Sequence, residues 1–200
     1  MDYKEQRERL VARLKEERPL PPEIEAAFLA VPREEFVPEA SRESSYTDLA
    51  LPLQAGATIS QPSMLVIMLL ELRLKRGVSV LEAGSGCGYF LALLAAAGAK
   101  ACGVEIITGL AKQSRERLDR LGYDVEVIDG DASKVEFGRK FGRVVFSAAV
   151  SNVPHWSRKV LEPGGFVLAP VGDREYQELV RAYEVRTEFT GRLCRFVPFV

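Results

Sequence analysis

The sequence predicts an α/β fold: a doubly wound, mostly parallel sheet with an antiparallel C-terminal edge, preceded by an N-terminal helical cap. Three observations predict it. Residues 78–88 read Val-Ser-Val-Leu-Glu-Ala-Gly-Ser-Gly-Cys-Gly, an apolar run that breaks into glycine at 84, 86 and 88. A helix pattern (Tyr89, Phe90, Leu91, Leu93, Leu94) follows at once, which sets the glycines between a strand and a helix. From there to about residue 170 short strand-like runs alternate with helical ones, the pattern of parallel strands joined by crossovers.

Taken in order, residues 2–18 mix acids and bases around a narrow stripe of Leu10, Val11 and Leu14. Glu5 and Arg9 stand four apart, as do Arg13 and Glu17, which predicts an exposed helix. Arg18-Pro19-Leu20-Pro21-Pro22 ends it, and Pro22 opens a second helix through Ala30 with Ile24, Ala27, Phe28 and Val31 on one face. Pro32 and Pro38 bracket an extended or turning connection, and residues 39–62 show no sustained period. Gln54 to Pro62 reads as a loop laid over another part of the fold. A helix from Met64 to Leu74 ends at Lys75-Arg76-Gly77. Strands are predicted near 78–83, 101–105, 124–128, 143–147 and 165–170, and helices near 88–97, 108–121 and 155–161. After Pro163-Gly164-Gly165 the period changes. Residues 176–184 and 192–198 are expected to form an antiparallel edge pair joined around Gly191. No repeat or linker marks a second domain. Residues 1–200 are expected to fold as one, with 1–76 as helical cap and substrate loop and 77–200 as cofactor-binding core.

Composition narrows the class. Lys and Arg number 27 against 28 Asp and Glu, a net charge of −1, so nothing recommends a nucleic-acid or membrane-surface partner. Apolar residues make up 47 % and charged ones 28 %, ordinary for a water-soluble globular protein. Cys87, Cys102 and Cys194 are widely spaced, and His155 is the single histidine, so no metal site is expected and a reducing, cytoplasmic setting is. Charged residues directly after Met1 argue against a signal peptide, and the apolar run from Tyr89 to Ala97 is too short to span a bilayer.

The glycine spacing selects the ligand. Side chains at the loop positions would collide with a bound nucleoside, so glycine lets backbone amides approach it. The pattern is Glu82-x-Gly84-x-Gly86-x-Gly88, not the G-x-G-x-x-G of a dinucleotide site. An acid at the strand end repels phosphates but can hold the ammonium of an amino-acid moiety. Glu105 closes the next apolar run, Ala101 to Glu105, where it can accept two ribose hydroxyls. Gly130-Asp131 follows the third run and suits an adenine amine. Three strand ends, each with an acid, describe a cationic, phosphate-free adenosine cofactor. S-adenosylmethionine, leaving as S-adenosylhomocysteine, fits; NAD fits less well. The expected cofactor set is Glu82, Gly84, Ser85, Gly86, Gly88, Glu105, Ile106, Asp131 and Ala132.

Further segments carry a resemblance. Val31-Pro32-Arg33-x-x-Phe36-Val37-Pro38, Thr58-Ile59-Ser60-Gln61-Pro62 and Val80-Leu81-Glu82-x-Gly84-x-Gly86-x-Gly88-Tyr89 are similar to segments of the protein-L-isoaspartate O-methyltransferase family. Leu161-x-Pro163-Gly164-Gly165, Pro170-Val171-Gly172 and Arg195-Phe196-Val197-Pro198 add to it. The glycine loop and the Pro-Gly-Gly turn are common to many class I S-adenosylmethionine-dependent methyltransferases, with their Rossmann-like fold. The first two segments are more specific. The resemblance implies methyl transfer to the carboxylate left when Asn or Asp isomerises through a succinimide. The ester offers a better leaving group than the free carboxylate, so the backbone amide attacks it, methanol departs, the succinimide re-forms, and hydrolysis restores some normal aspartate. Substrates would then be isoaspartyl proteins and peptides, and the enzyme is expected to be a monomer. By the same resemblance Ser60 sits at the reacting carboxylate, Thr58, Ile59 and Gln61 shape the acceptor cleft, and Val197 and Pro198 line it. Read from the residues alone, Ser60 is also a candidate cap for the following helix.

The chain departs from the family pattern in four places. Phe141-Gly142 stands where Phe-Asp is usual, Ser147-Ala148-Ala149-Val150-Ser151 where T-A-A-x-P is, Ser63 where an aromatic or His is, and Ile106-Ile107 follows Glu105. Those at Ser63 and 147–152 border the acceptor side. Two rivals stay open on the sequence: a carboxyl methyltransferase of this fold with another acceptor, and a non-catalytic S-adenosylmethionine-binding module.

Overall fold

The computed structural model describes residues 2–199. Two helices lead, α1 (Tyr3–Glu17) and α2 (Pro22–Ala30), followed by 3-10 turns at Arg33–Glu35 and Glu39–Ser44. A two-stranded antiparallel ribbon, β1 (Leu51–Pro52) and β2 (Thr58–Ile59), encloses a third 3-10 turn at Gln54–Gly56. Helix α3 (Pro62–Leu72) leads into the main sheet. Its parallel part alternates β3 (Ser79–Ala83), α4 (Tyr89–Ala96), β4 (Lys100–Glu105), α5 (Thr108–Arg120), β5 (Glu126–Asp129), β6 (Phe141–Phe146), α6 (His155–Lys159) and β7 (Leu161–Gly172). Two strands, β8 (Gln177–Ala182) and β9 (Thr187–Cys194), complete it. The order is β5-β4-β3-β6-β7-β8-β9, parallel as far as β7 and antiparallel beyond. Order reverses between β3 and β6, and ligands of open α/β sheets bind at the carboxyl ends of the strands at such a switch point.

Two apolar cores lie on the faces of this sheet, because successive strand residues point to opposite sides. Val80, Val145 and Leu168 face the core shared with Leu10, Leu14, Phe28, Phe36 and Leu69 from the N-terminal third. Leu81, Val144 and Val167 face the other, closed by Trp156 and Phe141. The narrow stripe of α1 is therefore buried rather than free: Leu10, Val11 and Leu14 are each under 5 % exposed. Arg7 fastens this helix from its polar side, donating to the Tyr46 hydroxyl at 2.8 Å, Leu29 O at 3.0 Å and Glu34 at 3.1 Å. No helix among the described residues is long and apolar enough to cross a membrane.

Two expectations fail at the C-terminal edge. The β8–β9 turn falls at 183–186, closed by Tyr183 N–H to Arg186 O at 2.8 Å, not at Gly191. Gly191 lies inside β9 in the left-handed region (φ 72°) and donates to Glu178 Oε1 at 2.7 Å. Residues 196–198 do not extend β9. Pro198 instead bridges Ala149 in parallel register. Pro163-Gly164-Gly165 is likewise a bulge within β7, whose register against β6 jumps from Phe141↔Leu161 to Arg143↔Phe166.

Candidate active site

The loop from β3 to α4 turns through left-handed backbone at Gly84 (φ 79°), Gly86 (φ 54°) and Gly88 (φ 84°). Gly84 and Gly86 border a cavity of about 270 Å³ at the switch point. Glu105, Ile106, Gly130 and Ala132 form its opposite side, and Thr58, Val197 and Pro198 its outer wall. A second recess of about 30 Å³ opens beside it, sharing Thr58, Gly84, Gly86 and Ser147, and is lined by Ser60, Ile59, Glu82 and Ser85.

Glu105 is 4 % exposed and ties the two loops together. One oxygen accepts Gly86 N–H at 2.7 Å and the other Ile107 N–H at 2.8 Å. Each carboxylate oxygen has a second lone pair, so two further donors can be accepted. Glu82 is 1 % exposed, and one of its oxygens accepts the Ser147 hydroxyl at 2.5 Å while the other has no partner. Burial pushes its carboxyl up to about 8; the Ser147 hydrogen bond opposes this, and the charge of Glu105 adds to it. The Ser85 hydroxyl is also buried without a partner. An orphaned acid, a second acid with capacity for two hydroxyls, glycines at the rim and the apolar Ile106 and Ala132 together fit a cationic nucleoside without phosphates.

The two acids of the glycine side and Asp131 separate at this point. Asp131 does not line the cavity; its neighbours Gly130 and Ala132 do. Its carboxylate accepts Ser133 Oγ at 2.7 Å and Ser133 N at 2.9 Å, with Lys134 Nζ at 2.9 Å. The Ser133 hydroxyl first, then Lys134, pulls it down to about 2. Gly88 does not line it either. A Cβ there would meet Ser114 Oγ at 2.3 Å, so this glycine serves close packing of the loop on α5. Gln61 reaches neither cavity: it is the N-cap position of α3 and donates to Ser63 Oγ at 2.8 Å. Ser60 is accordingly not the cap. The Ser63 amide, free at the start of α3, is bound by Asp48 Oδ1 at 2.8 Å. Ser60 lines the inner recess with Glu82 instead.

The comparisons follow from this geometry. The family model for protein-L-isoaspartate(D-aspartate) O-methyltransferase matches residues 5–200. This chain belongs to that family. Among its relatives, protein-L-isoaspartate O-methyltransferase 2 of Archaeoglobus fulgidus is 42 % identical over 207 residues, covering 99 % of this chain and 94 % of the relative. The Methanopyrus kandleri protein-L-isoaspartate O-methyltransferase is 38 % identical, covering 99 % and 92 %. A solved protein-L-isoaspartate O-methyltransferase superposes with a TM-score of 0.85 at 25 % identity over 96 % of this chain and 65 % of that one. A Plasmodium falciparum chain described as such a methyltransferase, solved with S-adenosyl-L-homocysteine, superposes at 0.81 over 100 % and 99 %; at 20 % identity it supports the fold. The structure is that of a class I methyltransferase.

Membership puts the departures in context. Gly142 lies at the far end of β6 from the cavity, and a Cβ there would meet Val78 Cγ2 at 2.7 Å and Glu162 Oε2 at 3.3 Å. Glu162 lies against this position and accepts from Ser79 Oγ, which itself accepts Gly142 N–H. Ser63 is absorbed into the α3 cap. Sequence reasoning placed Ser147 only at the border of the acceptor side, not beside Glu82, and missed Phe199 and Ala55 to Ala57 as cavity residues. Ser147 had a signal, a hydroxyl at the carboxyl end of the switch-point strand. Cys87, in the glycine loop, is buried, and burial pushes its thiol up, which keeps it protonated.

Proposed function

We infer that this chain transfers a methyl group from S-adenosylmethionine to the free carboxylate of L-isoaspartyl residues in damaged proteins and peptides, the first step of repair through a succinimide. The observation that carries the assignment is the juxtaposition of Ser60 and Glu82 on one recess that adjoins the larger cavity and shares Thr58, Gly84, Gly86 and Ser147 with it. The bound cofactor supplies an electrophilic methyl on a sulfonium. An acceptor carboxylate is ionised at neutral pH, so the protein needs no general base. Its work is alignment and exclusion of water.

In this reading Glu82 takes the ammonium end of the cofactor with its unpartnered oxygen, and Glu105 the ribose hydroxyls. Gly84 and Gly86 admit the methionine portion, while Ile106 and Ala132 flank the base. Gly130 and Ala132 offer backbone to the adenine amine, with Asp131 setting the shape of that turn rather than reaching the ring. Ser60 donates to one oxygen of the acceptor carboxylate and leaves the other free to attack. Thr58 and Ile59 hold Ser60 on its ribbon, and Val197 and Pro198 form the wall along which the acceptor lies. The near-balanced charge and the three free cysteines agree with a cytoplasmic setting.

Ser60→Ala tests the central role. A hydrogen bond to a charged group contributes ~1.5–3 kcal/mol, so turnover should fall about tenfold to a hundredfold. The dissociation constant for S-adenosylhomocysteine, read by calorimetry, should not change. Equal loss of both would move Ser60 from the acceptor to the cofactor.

A further inference from the structure

We propose that Gln177 is a positioning residue of the methyl-transfer site, whose buried carboxamide fixes the backbone of Phe196 and thereby holds Val197 and Pro198 against the acceptor. The proposal rests on the assignment of that wall to the acceptor side. Gln177 opens β8 and is 5 % exposed. Its Oε1 accepts Phe196 N–H at 2.6 Å, and its Nε2 donates to Phe196 O at 3.1 Å and to Asp173 O at 2.9 Å. One side chain thus satisfies both backbone groups of Phe196, as a neighbouring strand would.

That substitution for a strand is needed because β9 stops at Cys194, before the wall begins. Backbone groups alternate sides along an extended chain. The next residues therefore face the other way, where Val197 O accepts Ala149 N–H at 2.8 Å and Phe199 N–H donates to Ala149 O at 2.7 Å. Residues 196–199 are held on one edge by Ala149 backbone and on the other by the Gln177 side chain. The Pro170-Val171-Gly172 segment supports the clamp: Gly172 pairs with Gln177, and a Cβ at 172 would lie 2.0 Å from Tyr176 O. Only a carboxamide supplies the acceptor and the two donors at once.

The test compares wild type, Gln177→Met and a chain ending at Arg195. In Gln177→Met, amide hydrogen exchange at Phe196, Val197 and Phe199 should rise about tenfold, without ligand present. KM for an isoaspartyl peptide should rise about tenfold, with kcat and the S-adenosylhomocysteine dissociation constant changed less than about threefold. In the shortened chain the substitution should change KM no further, because the wall it acts through is gone. Gln177→Glu keeps an acceptor for Phe196 N–H but loses both donors; it is read in the same way if the methionine variant does not fold. Unchanged exchange would overturn the clamp. Faster exchange with weaker cofactor binding and unaltered KM would overturn its acceptor role, as would an equal KM effect in the shortened chain. Wild-type protein that binds S-adenosylhomocysteine but methylates no isoaspartyl peptide would overturn the proposed function and the acceptor role with it. The exchange result would then still decide the clamp.

Discussion

The carboxyl group of Glu82 holds one hydrogen bond in a site that is 1 % exposed, and it titrates at about 8 against 4.5 for the free side chain. Below about pH 4.5 the folded and unfolded chains are both protonated there, and burial carries no ionic penalty. Between 4.5 and 8 the unfolded chain has released a proton that the folded one keeps, so stability falls as pH rises through this window. Glu82→Gln cannot titrate. Its melting temperature should therefore gain on wild type progressively from about pH 5 to about pH 8 and level off above, with ligand absent. A gap independent of pH would contradict the buried carboxyl. If Glu82 takes the ammonium, as proposed, the same variant should bind S-adenosylhomocysteine about tenfold more weakly or worse, because an arriving ammonium draws the proton off the carboxyl and a carboxamide cannot ionise in response. Glu82 and Glu105 were legible because each ends a β-like run. The turned-away carboxylate of Asp131 was not, since the same residue type after the same kind of run can cap its own turn through Ser133 and Lys134.

At the scale of elements, α3 shows how a distant residue sets the geometry of the site. Its start carries Ser60 and Gln61, neither of which caps it; Asp48, fifteen positions before Ser63, does. Asp48→Ala should cost about 1 kcal/mol, as lost caps do. For a chain of this length that is a fall in melting temperature of about 2–4 °C by calorimetry. No change would mean that water replaces the cap. Such long-range partnerships carry no local signature, whereas the helices themselves did: the 3.6-residue stripes of α1, α2 and α5 and the proline at the head of α2 and α3 mark their faces and starts. The β8–β9 hairpin failed for a definite reason. Its turn, Tyr183-Glu184-Val185-Arg186, holds no glycine or proline, while the glycine that suggested a turn belongs to a bulge. Likewise the strand-like terminus pairs, but with the Ala149 backbone and the Gln177 side chain rather than the backbone of β8.

Across the whole molecule, the sheet supplies the side of the cavity proposed for the cofactor, and the flanking segments supply the side proposed for the acceptor. The switch between β3 and β6 brings Glu82 and Ser147 together, and the β4 end adds Glu105. The ribbon with Thr58 to Ser60 comes from the N-terminal third and the Val197 to Phe199 wall from beyond β9, so segments far apart in sequence meet over the strand termini. Those N-terminal elements share one apolar core with the sheet, Phe28, Phe36 and Leu69 packing with Val145 and Leu168. In the proposed reading this meeting serves the family's reaction: an anionic acceptor is laid beside an activated methyl and shielded from water. The direct test is methyl transfer from labelled S-adenosylmethionine to paired peptides that differ only in isoaspartate against aspartate. The account predicts strong labelling of the isoaspartyl peptide and little of the other. Equal labelling of both, or labelling of neither by protein that binds S-adenosylhomocysteine, would contradict it.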